Sequence, residues 1–236
     1  MSETNAPNTG LKNPFDSWKS IAISLYMTLV GYGVLVGIPV INTAWVTLLG
    51  FSEAQGGRIA GMDLGGLAVG GVVTAILITK VDRRFLAILG MFLAVLANAL
   101  CITMVDYEQV FWLRFLSGFG SGIFTSVAVS SLGASSKPAR AFNAMLFAFA
   151  FSQALEIHFL PLLTMSGIYI AFIVGFLSTL PFINWIPSFS DSKSYLGLEQ
   201  SNETIKQVSP DTTIPKFVPW LCLAAMVVTY INIGAY

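Results

Sequence analysis

Gln153, Glu156 and His158 stand close together in a mostly apolar stretch of this chain, Phe149-Ala150-Phe151-Ser152-Gln153-Ala154-Leu155-Glu156-Ile157-His158-Phe159-Leu160-Pro161. Gln153 and Glu156, three apart, share one face of a helix, while His158 points nearly the opposite way. Glu156 and His158 are therefore not expected to line one cavity. Ionisable groups inside a membrane are costly and are either paired or functional. Glu156 is thus the first choice for a proton-titrating or cation-binding group, or else one half of a salt bridge with Arg114. His158, the chain's single histidine, is of the type that titrates near neutral pH when unperturbed. It is either a functional group or a hydrogen-bonded packing residue.

Two more charges are embedded in apolar sequence. Arg114 lies in Leu113 to Val127, where a guanidinium costs about 2.5 to 3.5 kcal/mol at the bilayer centre. Arg114, Ser117, Ser121 and Thr125 fall on one helical face, and Gly118 and Gly122 make a seam beside it where another backbone can come close. Asp63 shares a face with Gly66, Gly70 and Thr74 and is either a coupling site or a buried partner for a cation, with Arg114 as the candidate. Gly57, Gly61 and Gly65, followed by Ala68, form a separate strip expected to pack against a neighbouring helix. Ser24, Thr28, Gly31 and Leu35, bordered by Tyr32, make a face that serves either as a hydrogen-bonding wall for a small substrate or as packing.

The elements that must position these groups follow from composition. The 236 residues are 55% hydrophobic and 10% charged, against about 25% charged in a usual soluble domain. This is the make-up of an all-α integral membrane protein. Apolar runs long enough to cross a bilayer occupy Ile21–Ile41, Gly56–Ile78, Phe85–Val105, Val110–Leu132, Phe142–Leu163 and Ile168–Ile186. A seventh starts at Phe217 and continues to Tyr236, so it reads as a partial span. Residues 1–20 form a polar tail, 21–186 a six-span unit, 187–216 a polar linker and 217–236 the start of the next helix. No basic stretch points to nucleic acid. Cys101 and Cys222 lie inside apolar runs, which gives no support to a disulfide framework or a metal cluster, and no cofactor is expected.

Ten of the twelve basic residues fall on one side of this topology: Lys12, Lys19, Lys80, Arg83, Arg84, Lys137, Arg140, Lys193, Lys206 and Lys216. Cytoplasmic loops hold such an excess, so the amino terminus is expected inside, with the chain crossing the cell (inner) membrane several times. Arg58 and Arg114 are the exceptions, and the opposite loops hold only the acids Glu53, Asp106 and Glu108.

The stretch Arg114, Gly118, Gly120, Gly122 resembles the fourth-span motif of the major facilitator superfamily of secondary transporters, an arginine followed by spaced glycines. The polar linker after six spans is similar to the one that joins the two halves of those proteins. Between spans 2 and 3 the superfamily carries a loop that governs conformational switching. Here Lys80, Arg83 and Arg84 agree with it; its glycines and its acid are absent, Thr79 stands at the position of the acid, and neighbouring Asp82 is the candidate substitute. Alternatively these cations only fix topology. Spans 1 and 4 each contain Gly-aromatic-Gly, Gly31-Tyr32-Gly33 and Gly118-Phe119-Gly120, and would correspond in a three-plus-three repeat.

The resemblance implies a six-helix half of such a transporter with a truncated seventh helix. It would move a small organic solute by alternating access, coupled to H+ at Glu156 or Asp63. Because the substrate site of the superfamily lies between two halves, it also implies a second half, a homodimer, or a truncated product that transports nothing alone. A reading from a different class is an intramembrane serine protease, with Ser121 of Phe119-Gly120-Ser121-Gly122 as nucleophile and His158 as base. Phe119 in place of a glycine, and the lack of a second histidine or an oxyanion asparagine, count against it.

Overall fold

The structure, a computed structural model of the chain, describes residues 13–188. The chain divides into two compact units, and the second, Leu196–Tyr236, lies outside the described residues. So do the expected seventh span, Cys222, and the linker beyond residue 188.

Among the described residues seven α-helices follow one another: α1 (Trp18–Gly31), α2 (Gly33–Leu49), α3 (Glu53–Leu77), α4 (Arg83–Thr103), α5 (Tyr107–Gly133), α6 (Pro138–Phe159) and α7 (Met165–Leu177). There is no strand among the described residues. With α1 and α2 taken as one span, and with the 3-10 turns after α6 and α7 included, six segments are long and apolar enough to cross a membrane. They match the six expected spans to within a few residues, except the first. It runs from Trp18 to Leu49, 32 residues instead of the expected stretch ending at Ile41, and it is broken at Tyr32. Tyr32 sits at φ −92°, ψ 3°, off helical geometry, between two glycines that have low helix propensity.

The helix ends are written in the sequence. Ser17, Ser52, Asp82 and Thr164 each turn a side-chain oxygen onto an N–H of the first turn of the following helix, and Ser52 and Gln55 complete a reciprocal capping box. Gly50, at φ 72°, ends α2 in the left-handed region that favours glycine.

Helix α5 is the axis of the bundle and packs on α1, α3 and α4. Its glycines let two neighbours reach its backbone. A Cβ at Gly118 would collide with the carbonyl oxygen of Asp63, and one at Gly122 with that of Leu67, while Gly66 and Gly70 of α3 meet the carbonyls of Phe115 and Phe119. Gly90 of α4 and Gly120 face each other in the same way. The expected strip on α3 meets no neighbour among the described residues. Gly57, Gly61 and Gly65 are exposed, with nothing within 4 Å of a Cβ at any of them, and the packing face is the one that carries Asp63. Both faces of α3 are glycine-lined, so composition alone did not separate them.

Two apolar clusters fill the bundle. One gathers Ile23, Met27, Leu86, Phe124 and Phe176; the other Ile41, Trp45, Ile59, Val110 and Tyr169. Helix α6 stands apart from both, since Ala141 is its only buried residue.

At the end of the bundle that carries residue 13, polar contacts tie the elements together. Asn13 donates to the Ala134 carbonyl at 2.9 Å, and Asp16 accepts from the backbone and hydroxyl of Ser136. Arg83 lies 4.6 Å over the Phe15 ring and donates to Ser131, while Arg84 donates to the carbonyls of Asn184 and Ile186. Asp82, expected as a stand-in for a missing loop acid, caps α4 through the N–H of Arg84 at 2.7 Å. Lys80 is exposed.

Candidate functional site

Arg114 and Asp63 are brought together. Nε of Arg114 donates to Oδ2 of Asp63 at 3.1 Å, and Nη2 donates to the same oxygen. This settles the partner of Arg114 between the two acids considered: the ion pair is with Asp63 on α3, not with Glu156 on α6. The glycine seam explains why. Gly118, one turn beyond Arg114, brings α5 against the α3 backbone at Asp63 itself.

The third nitrogen of the guanidinium also has a partner. Nη1 donates to Oδ1 of Asn98 at 2.8 Å, and the Asn98 amide donates onward to Ser117 at 3.0 Å and to the Ala94 carbonyl at 2.7 Å. The Tyr169 ring lies 5.9 Å from the guanidinium, and its hydroxyl accepts from the Trp45 indole at 3.1 Å. Every member is buried. Residues from α2, α3, α4, α5 and α7 meet here, and the charge is compensated within the bundle. Asn98, Tyr169 and Trp45 were not read from the sequence as part of a site. The available signal was an amide inside the apolar run of α4, a type that in membranes bonds across helices.

Glu156 is placed differently. It is half-buried on α6, facing the first span just past its break at Tyr32. Oε1 accepts from the Ser152 hydroxyl one turn back at 3.0 Å. Oε2 is buried without a hydrogen-bond partner, turned toward Gly37, where a Cβ would come within 2.9 Å of it. Among the described residues no cation is paired with Glu156. A cavity of about 280 Å³ opens beside the carboxyl group, between α1, the start of α2, α6 and α7, and is lined by Tyr26, Val30, Gly33, Ser152, Leu160 and Phe172 among others. Gly33 and Gly37 provide the room, so the glycines after the break have a spatial use.

The other expected site residues are not drawn into this cavity. Gln153, on the same stretch as Glu156, is exposed, and Ser152 takes the contact instead. His158 is exposed, as expected from its opposite direction. Tyr32 stacks edge-to-face on Phe149 of α6 at 5.5 Å. Ser24, Thr28 and Gly31 are buried, with Gly31 against Thr125 and Phe124 of α5, so their face serves packing rather than a substrate wall. Ser121 is buried in α5 and His158 is exposed on α6, with no hydrogen bond between them.

Chemically, the two acids divide the roles open to them. Asp63 is held by two donors of a cation and fixes helix register. Glu156 carries one oxygen with no donor, turned toward Gly37, and lines a cavity large enough for a small molecule. Comparison with models of known protein families and with curated protein sequences found no match to this chain.

Proposed function

We propose that this protein is a secondary transporter of a small organic solute, coupled to protons, in which Glu156 is the coupling carboxyl group. The observation that carries the proposal is the contrast between the acids: Asp63 is neutralised by Arg114, whereas Oε2 of Glu156 is buried without a partner beside a cavity at a helix break. A carboxyl group so placed is costly as an anion and is relieved by taking a proton or a cation. That is what coupling requires. The break at Tyr32 gives the first span a joint beside the same group.

In this proposal the six spans form one half of a facilitator-type transporter built as a three-plus-three repeat, with the amino terminus in the cytoplasm. The helix neighbours support it. Span 1 packs on span 4, where Gly31 meets Thr125, and span 2 packs on span 4 as span 5 lies beside span 1. The half works with a second six-span unit, a partner or another copy. Support for this comes from α6, which is buried at Ala141 alone.

The test is to reconstitute the protein into liposomes that enclose a pH-reporting dye and to challenge them with a panel of small organic solutes. The expected result is proton movement driven by at least one solute, removed by Glu156→Gln and kept by His158→Ala. Proton movement that survives Glu156→Gln sinks the coupling role, and a panel that moves no protons sinks the transport reading.

A further inference from the structure

The cavity beside Glu156 has a chemistry of its own that narrows what can occupy it. Its walls are aliphatic and aromatic, from Val30, Leu160, Phe172 and the ring of Tyr26. Its polar groups are the Glu156 carboxyl, the Ser152 hydroxyl and the Tyr26 hydroxyl, the last already bonded to Ser178. Among the described residues no lysine or arginine lines it. An anion would meet a carboxylate with no compensating cation. A neutral solute would leave the orphaned Oε2 as it is, at the cost of an unsatisfied buried acceptor. A bare metal ion lacks ligands, because among the described residues no three His, Cys, Asp or Glu side chains come together and calcium alone wants about six to eight oxygens.

We infer that this cavity is a binding site for an organic ammonium ion with a compact apolar or aromatic body. An ammonium group needs only acceptors and negative charge, which Glu156 supplies, with Ser152 beside it as a second acceptor. The Phe172 face and the Tyr26 ring receive the apolar body and add attraction to the cation. The volume, about 280 Å³, is at the small end of ligand pockets, so the cation is a small one. Oε2 faces Gly37, but the last torsion of a glutamate is broad and roughly two-fold. Either oxygen can therefore be turned to the cavity without moving the helix. The glycines of α2 matter for the same reason, since a Cβ at Gly37 would press on the carboxyl group and one at Gly33 on Phe172.

This inference deepens the transport reading and rests on it only in treating the occupant as cargo; the binding site itself is tested without transport. Purified full-length protein in detergent is titrated calorimetrically at neutral pH with 2-phenylethylamine, which is protonated there. The neutral isostere 2-phenylethanol and the anion phenylacetate serve as controls. Saturable binding of the amine, at least tenfold tighter than either control, is expected. Glu156→Gln, close in shape, should weaken the amine at least tenfold while leaving the alcohol unchanged. Ala171→Trp, at the exposed rim of the cavity, should weaken the amine as much without touching the carboxyl group. It keeps the test valid should the Gln variant fold poorly. Equal binding of alcohol and amine, absence of saturable amine binding, or amine binding unchanged in both variants overturns the inference. Amine binding without proton movement in liposomes keeps the site and removes the transport reading. Proton movement with other solutes, and no amine binding, does the reverse.

Discussion

Arg114 of α5 gives two of its N–H groups to a single oxygen of Asp63 on α3, and Gly118, one turn along α5, touches the backbone of that same aspartate. Charge pairing and backbone contact therefore occur at one point on α3. Sliding either helix by a turn would break both at once. The pair consequently sets the register of the two helices, and Asn98 locks the guanidinium from α4.

Breaking this pair should be costly, because either partner alone is an uncompensated buried charge. Asp63→Asn and Arg114→Gln should each lose about 3 to 5 kcal/mol, while the double variant should lose clearly less than the two added together. Thermal unfolding in detergent reads this directly. Additive losses, or single losses below about 1 kcal/mol, would show that the pair does not hold the bundle.

The two glycine faces of α3 give a second comparison. Gly118→Ala on α5 drives a methyl group into the carbonyl of Asp63 and should destabilise by about 1 to 3 kcal/mol, since neither backbone can yield cheaply. Gly61→Ala places the same group in open space and should stabilise α3 by about 0.5 to 1 kcal/mol through helix propensity alone. A loss of stability at Gly61 would mean that this strip is covered by something beyond the described residues.

What could be read beforehand follows from which signals are local. Span positions, the caps at Ser52 and Asp82, and the opposed directions of Glu156 and His158 depend on hydropathy and helix period, and the structure keeps them. The choice between the Gly57–Gly61–Gly65 face and the Asp63–Gly66–Gly70 face of α3 depends on which partner helix arrives, and no periodicity within α3 encodes that. Arg114 was legible as a group in need of a carboxylate; which of two acids supplied it was not, because Asp63 and Glu156 lie on different helices. Asn98 and Tyr169 became meaningful only once α4 and α7 were seen to close around the pair.

Arg83 holds the segment before α1 through the Phe15 ring and Ser131. Phe15→Ala should release it, because the ring is fully buried and covers the guanidinium. Hydrogen exchange at residues 15–20 should then accelerate at least tenfold while the core of α5 stays protected. Unchanged exchange would mean that the Asn13 and Asp16 hydrogen bonds suffice.

The charge distribution predicts a sidedness that labelling can check. In a chain freed of other reactive thiols, cysteines at Lys80 and Lys137 should be reached by a membrane-impermeant maleimide only from the cytoplasmic side, and one at Glu53 only from outside. All three positions are exposed, so access depends on topology and not on burial. Labelling of Glu53→Cys and Lys80→Cys from the same side would overturn the alternation of spans between them.

Asn98 separates a bond that the charge needs from one that it does not. Asn98→Leu keeps the branched outline of the side chain but removes the acceptor of Arg114 Nη1, leaving a buried charged donor unsatisfied, and should cost about 1 to 3 kcal/mol or more. Ser117→Ala leaves one neutral N–H of the Asn98 amide without its acceptor while the other still donates to the Ala94 carbonyl, and should cost about 1 kcal/mol, less than the loss of the acceptor of a charged donor. With Leu already at position 98 there is no amide to lose a partner, so adding Ser117→Ala should change stability very little. That ordering holds only if the chain of bonds runs from Arg114 through Asn98 to Ser117. A larger cost at Ser117 than at Asn98 would mean that the serine, and not the asparagine, holds the arginine in place.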